Sequence, residues 1–83
     1  MRVTVKLFAV LRERAGVSDL SIELAEGETV ATAVDHVASR LPQIAELLPR
    51  VAFAVNCEYV AKTAALSDGD ELAAIPPVSG GLE

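Results

Sequence analysis

A single cysteine, Cys57, in a chain of 83 residues excludes an internal disulfide, and one thiol cannot by itself hold zinc or an iron–sulfur cluster. Aromatic residues are almost as scarce: Phe8, Phe53 and Tyr59 are the only rings, and tryptophan is absent. The core must therefore be built from Val, Leu, Ile and Ala. No apolar run approaches the roughly 18 residues that a bilayer-spanning helix needs. The opening Met1-Arg2-Val3-Thr4-Val5-Lys6 is broken by charge and reads as a strand, not as a secretory leader. These absences predict a cytosolic protein. Positive charge is short as well, with 7 basic against 12 acidic residues and a net charge of −5. Residues 51–83 carry Lys62 alone against Glu58, Asp68, Asp70, Glu71 and Glu83. Such an acidic third repels nucleic acid and anionic membrane, and suits a protein partner with a basic surface.

What is present describes one small domain. Hydrophobic residues make up 52% of the chain, so the low-hydrophobicity signature of disorder does not apply. A chain of this size buries only about 60–65% of its unfolded surface, which leaves no room for separate cofactor and substrate domains. Val3, Val5 and Leu7 alternate with Thr4 and Lys6, the period of a half-buried strand. Leu11 and Ala15 bracket a short helical turn that Gly16 stops. Leu20, Ile22 and Leu24 form a second alternating strand, for which antiparallel pairing with the first is the simplest arrangement.

Gly27 marks a turn, and Thr29 stands where a helix N-cap is expected. Val30, Ala33, Val34, Val37, Ala38 and Leu41 then follow one buried helical stripe, which Pro42 closes. A short turn spans Ile44 to Leu48. Val51, Phe53 and Val55 alternate as a third strand ending at Asn56-Cys57-Glu58, and Tyr59-Val60 returns as an edge strand. Ser67-Asp68-Gly69-Asp70 is a turn, and Leu72 to Ile75 a last strand. The order predicts an α+β domain, a mixed sheet of four to five strands with one main helix packed across it.

The chain then changes character. Pro76 and Pro77 remove two backbone donors, so sheet pairing must stop, and they favour a stiff extended stem. Val78 and Ser79 lead to Gly80-Gly81, the narrowest backbone available. A rigid stem with a slim tip suits threading into a partner's tunnel, although Gly-Gly alone also fits a solvated terminus.

Stem and tail together carry a resemblance. Leu66-Ser67-Asp68-Gly69-Asp70-Glu71-Leu72 followed by Pro76-Pro77-Val78-Ser79-Gly80-Gly81 resembles the small subunit of molybdopterin synthase. Phe8-Ala9, Leu11-Arg12-Glu13, Gly16 and Val55-Asn56 fit the same family, so the resemblance covers residues 1–81. It implies a ubiquitin-like β-grasp domain over residues 1–76, an extended tail over 77–81, and the role of sulfur carrier. Within the resemblance, a ubiquitin-activating-like adenylyltransferase using ATP and magnesium adenylates Gly81, and a sulfur donor protein converts the acyl-adenylate to a thiocarboxylate. The tail, Gly80 included, then enters the synthase's large subunit and gives sulfur to cyclic pyranopterin monophosphate, forming the molybdopterin dithiolene. The chain would thus be no enzyme alone, would bind no cofactor or metal, and would sit in a heterotetramer with the large subunit. The implied partner contacts are Phe8, Tyr59, Ile75, Pro76, Pro77, Val78 and Ser79, with Tyr59 in place of an aliphatic residue. Alternation supports Phe8 independently, because Val3, Val5 and Leu7 already claim the buried face.

Leu82-Glu83 departs from that family, which ends at the second glycine. The pair reads as a tag scar or a processed extension, since Gly81 has no free carboxylate while they remain. Other residues carry less. Cys57 lies at a turn without a nearby histidine, His36 lies about 200° round its helix from Val34, and Arg12 and Arg14 belong to a solvated face. Asp68, Asp70 and Glu71 lack the ligand count and spacing of a calcium loop and read as solvated turn acids. The competing functions are a thiamine-pathway sulfur carrier, a ubiquitin-like protein modifier, and a non-covalent β-grasp binding module. No nucleophile–base pair supports an autonomous enzyme.

Overall fold

The computed structural model describes residues 1–76. Strand β1 (Arg2–Leu7) is the spine, because Val3, Val5 and Leu7 are all at most 1% exposed while Arg2, Thr4 and Lys6 face the other way. It pairs antiparallel with β2 (Asp19–Glu23), Val3 opposite Ile22 and Val5 opposite Leu20. On its other side it pairs in parallel with β5 (Glu71–Ile75), Val5 opposite Leu72 and Leu7 opposite Ala74. Strand β3 (Ala52–Val55) lies antiparallel to β5, and β4 (Glu58–Val60) closes that side as an edge. The sheet order is β2-β1-β5-β3-β4. With the main helix across one face, this is the ubiquitin-like β-grasp arrangement, five strands in a mixed sheet as expected.

Helix α1 (Ala9–Ala15) follows β1 directly and ends where expected. Gly16 takes φ 78°, the left-handed region that glycine enters without a Cβ penalty, and its N–H donates to Arg12 O at 3.0 Å. Helix α2 (Val30–Arg40) buries Val30, Ala33 and Val37 against the sheet, with Val34, Ala38 and Leu41 packed beside them. One detail differs from expectation. Thr29 occupies the N-cap, but its side chain caps nothing. Instead the N–H groups of Val30 and Ala31 donate to the carbonyls of Ala64 and Lys62, each at 3.0 Å. A neighbouring backbone segment thus satisfies the free helix donors that a side-chain cap would otherwise take.

The expected turn around Ile44–Leu48 is longer, a 3-10 segment over Pro42–Arg50 that buries Ile44 and Leu48. Gln43 Nε2 donates to Ala15 O at 3.2 Å, tying it to the end of α1. The core lies between the sheet and these helices, and Leu7, Leu11, Ile22, Ile44 and Leu72 are its largest fully buried side chains. Phe53 is its one aromatic ring, and among the described residues no buried polar side-chain atom lacks a partner.

Candidate functional site

Because side chains alternate along every strand, the register that buries Leu7, Leu72, Ala74 and Phe53 pushes a second set onto the opposite face. On β5 these are Glu71, Ala73 and Ile75, and on β3 they are Ala52 and Ala54. Ile75 stands opposite Ala52, Ala73 opposite Ala54 and Lys6, and Ala54 opposite Tyr59. Leu7 pairs with Ala74, so Phe8, still extended at φ −127°, comes next to Ile75. The open face of the sheet is thus divided. Its β2–β1 side is charged, with Arg2, Lys6, Asp19 and Glu23, whereas its β5–β3–β4 side is an alanine floor flanked by Phe8, Ile75 and Tyr59.

Of the expected contact residues, Tyr59 is 72% and Phe8 44% exposed, while Ile75 and Pro76 are half-buried. Four of the expected positions therefore stand on or beside one apolar surface, and Ile75 is not core: its strand buries Leu72 and Ala74 instead. Pro76 follows Ile75 directly, so the chain leaves the sheet beside Phe8. Pro77, Val78, Ser79, Gly80 and Gly81 lie outside the described residues. Ala52, Ala54 and Ala73 were missed by sequence reasoning. Alanine carries little strand signal, and only the register places three of them together. Ala54 is just 4% exposed although it faces outward, flanked as it is by Tyr59 and Ala73.

At the opposite end of the sheet, Asp68 and Glu71 are exposed as expected and Asp70 is half-buried, and the two aspartates of the turn also bond to neighbouring segments. Asp70 Oδ2 accepts from Ser67 N at 2.8 Å, and its Oδ1 accepts from Asn56 Nδ2 at 3.0 Å. Asn56 Oδ1 accepts from Glu71 N at 3.1 Å, and Asp68 Oδ1 accepts from Arg2 N at 2.7 Å. These bonds tie the β3–β4 hairpin and the start of β1 to the entry of β5. Arg2 Nε donates to Glu23 Oε2 at 2.7 Å, and that bond and the Glu23 charge raise the guanidinium above its ordinary value. Both groups are exposed, so the pair adds little stability.

Cys57 is exposed at the hairpin tip. There Asn56 and Cys57 take φ 49° and 74°, the two positive angles of a type I′ turn. His36 is exposed on α2. Among the described residues no three His, Cys, Asp or Glu side chains are grouped as a metal would require, and no helix is long and apolar enough to cross a membrane.

The chain matches the ThiS family model over residues 5–81. It belongs to the ThiS family. Among its relatives are the molybdopterin synthase sulfur carrier subunits of Arabidopsis thaliana and Chlamydomonas reinhardtii. The first is 38% identical over 98% of this chain and 84% of the relative. The second is 39% identical over 98% of this chain and 100% of the relative. Among solved structures, SAMP1 from Haloferax volcanii superposes with a TM-score of 0.89 at 31% identity, covering 98% of this chain and 100% of its own. A chain of the complex of subunits 1 and 2 of the molybdopterin-converting factor from Helicobacter pylori 26695 gives 0.69 at 23% identity, over 94% and 96%. That last likeness speaks for the fold alone. Within the ThiS family, then, this chain is similar to molybdopterin synthase sulfur carriers over nearly its full length.

Proposed function

We propose that this chain carries sulfur on the carboxyl group of Gly81 for molybdopterin synthesis. The carrying observation is the coincidence at one end of the sheet: Phe8, Ile75 and Pro76 meet where the chain departs toward the two glycines. An apolar surface beside a departing tail suits a partner that holds the domain while taking in the tail. The large subunit of molybdopterin synthase is that partner, in a heterotetramer. The relatives from Arabidopsis thaliana and Chlamydomonas reinhardtii are by name subunits of molybdopterin synthase, which supports this reading.

The chemistry follows from the carboxyl group. A carboxylate is a poor electrophile, so an oxygen of Gly81 first attacks the α-phosphorus of ATP on an adenylyltransferase, with magnesium, and pyrophosphate leaves. Hydrosulfide delivered by a donor protein then attacks the acyl carbon, AMP leaves, and a thiocarboxylate remains. In the large subunit the thiocarboxylate sulfur attacks a carbon of cyclic pyranopterin monophosphate. Water then cleaves the acyl–sulfur bond, which returns Gly81 as a carboxylate and leaves the sulfur on the pterin. ATP and magnesium belong to the activating partner, and acid–base groups to the large subunit. This chain contributes the carrier atom, the reach and the docking face.

The test combines the chain ending at Gly81 with the adenylyltransferase, ATP, magnesium, a sulfur donor and the large subunit. The reading requires dithiolene formation that depends on every component and is lost when Gly80 and Gly81 are deleted. Unchanged product without the two glycines would overturn it. The likeness to SAMP1, which covers that whole chain, favours a second reading as a protein modifier. Isopeptide conjugates of Gly81 on other proteins in the cells that make the chain would support that one.

A further inference from the structure

By sequence, acidity gathers in the last third of the chain and suits a basic partner; the fold distributes charge between the two ends of the sheet instead. At the end where β1 and β5 finish stand five cations, Lys6, Arg12, Arg14, Arg40 and Arg50, against Glu13, Asp19 and Glu46. At the end where α2 and β5 begin, Arg2, Lys62 and the Met1 ammonium, which lies 3.9 Å from Glu26, face seven carboxylates. Glu23, Glu26 and Glu28 lie along the β2–α2 connection, Glu58 at the hairpin, and Asp68, Asp70 and Glu71 at the entry of β5. Lys62 belongs to this end because its carbonyl accepts from Ala31 N at the start of α2. Asp35 lies midway along α2. Among the described residues the end where the chain leaves the sheet therefore holds five cations against three carboxylates, with Glu83 outside them, on a molecule whose overall charge is −5.

Two cations at the tail end have a carboxylate within reach, Lys6 at 3.9 Å from Glu71 and Arg14 at 4.0 Å from Glu46, and Arg40 donates to the carbonyl of Ser21. Arg12 and Arg50 are exposed and pair with no carboxylate among the described residues. Arg50 lies two residues before Ala52, which stands opposite Ile75, and Arg12 lies in the turn that follows Phe8. Arg12 and Arg50 thus form a basic rim at the Phe8–Ile75 end of the apolar surface.

We propose that this rim steers docking, and that the partner receiving the tail surrounds an apolar opening with carboxylates. The inference rests on the sulfur-carrier reading and adds to it the charge of the partner's rim. A polarised charge distribution turns a molecule during encounter. An acidic opening draws the tail end forward and repels the far end, whereas a basic opening would draw the seven carboxylates first and turn the tail away.

Arg50→Glu and Lys62→Glu test this, because each lowers the net charge by two but at opposite ends. Association with the large subunit from the same organism is followed by stopped-flow fluorescence at about 0.05 M and about 0.5 M salt, where screening differs several-fold. Thermal melts confirm that both variants fold. Arg50→Glu is expected to slow association about 3–10-fold at low salt and less than about twofold at high salt, with Lys62→Glu within about twofold of the parent throughout. Equal slowing of both variants would reduce the effect to net charge and overturn the proposal, as would faster association of Arg50→Glu. A parent chain that does not bind the large subunit at either salt would overturn the carrier reading itself, and this inference with it.

Discussion

Replacing Cys57 with glycine separates the cysteine's chemistry from its position in the backbone. Cys57 sits at φ 74°, the second central residue of the Val55–Glu58 turn, after Asn56 at φ 49°. Asparagine tolerates this region and glycine favours it, which is why Asn-Gly is preferred in such turns. An L-residue other than these gives up about 1–2 kcal/mol there. Glycine returns about 0.5–1 kcal/mol through its greater freedom in the unfolded chain. The side chain is exposed, so no packing is lost. Cys57→Gly should therefore stabilise the domain by about 0.5–1 kcal/mol, raising Tm by about 2–8 °C in a domain of this size. Circular dichroism melts of both proteins measure the shift. Thiocarboxylate formation at Gly81, followed by intact mass, should not change, because the proposed carrier atom is on Gly81 and the thiol takes no part. An unchanged or lower Tm would refute the backbone argument. Lost sulfur loading in a well-folded variant would refute the assignment of the carrier atom.

The remaining predictions address the docking face, the hairpin clamp and the core. Tyr59→Asp and Ile75→Asp should each weaken binding to the large subunit by at least about tenfold, as expected for charge placed in an apolar contact, while Tyr59→Asp leaves Tm within a few degrees; isothermal titration and melts read the two effects. Asn56→Ala should cost about 1–3 kcal/mol by urea denaturation, through two lost side-chain bonds and an unfavourable φ. Asn56→Gly should recover part of that loss, since it restores the backbone freedom but not the bonds. Leu72→Ala, at a fully buried site between β1 and β3, should cost about 2–5 kcal/mol. It should reduce sulfur transfer only as far as it lowers the folded fraction.

Much of this fold is legible because the buried positions keep strict periods. Val3, Val5 and Leu7 alternate without exception, and Val30, Ala33 and Val37 mark one helical face, so β1 and α2 follow from spacing alone. Gly16 marks the end of α1 because only its missing Cβ makes φ 78° inexpensive. The proposed docking face is legible in part. Phe8 could be found by counting outward from Leu7, and Tyr59 and Ile75 by family resemblance. Ala52, Ala54 and Ala73 could not, because alanine is equally at home in core, surface and helix, and only cross-strand register brings these three together. The Thr29 expectation failed at its side chain for a related reason: the backbone of Ala64 and Lys62, far along the chain, already meets the helix donors. The turn acids are solvated as read, but nothing local shows that Asp68 and Asp70 also meet Arg2 and Asn56 across the sheet. Charge polarity was hidden likewise, since the arginines that gather at the tail end are spread from Arg12 to Arg50.

The central claim is that sulfur rides on the carbonyl of Gly81. Its most direct measurement is the intact mass and carboxyl-terminal peptide of a chain ending at Gly81, after incubation with the adenylyltransferase, ATP, magnesium and a sulfur donor. One oxygen is expected to be replaced by sulfur, confined to the peptide containing Gly81, dependent on ATP, and reversed when the large subunit consumes it. Sulfur found on Cys57, or no change in mass while molybdopterin is still made, would contradict it.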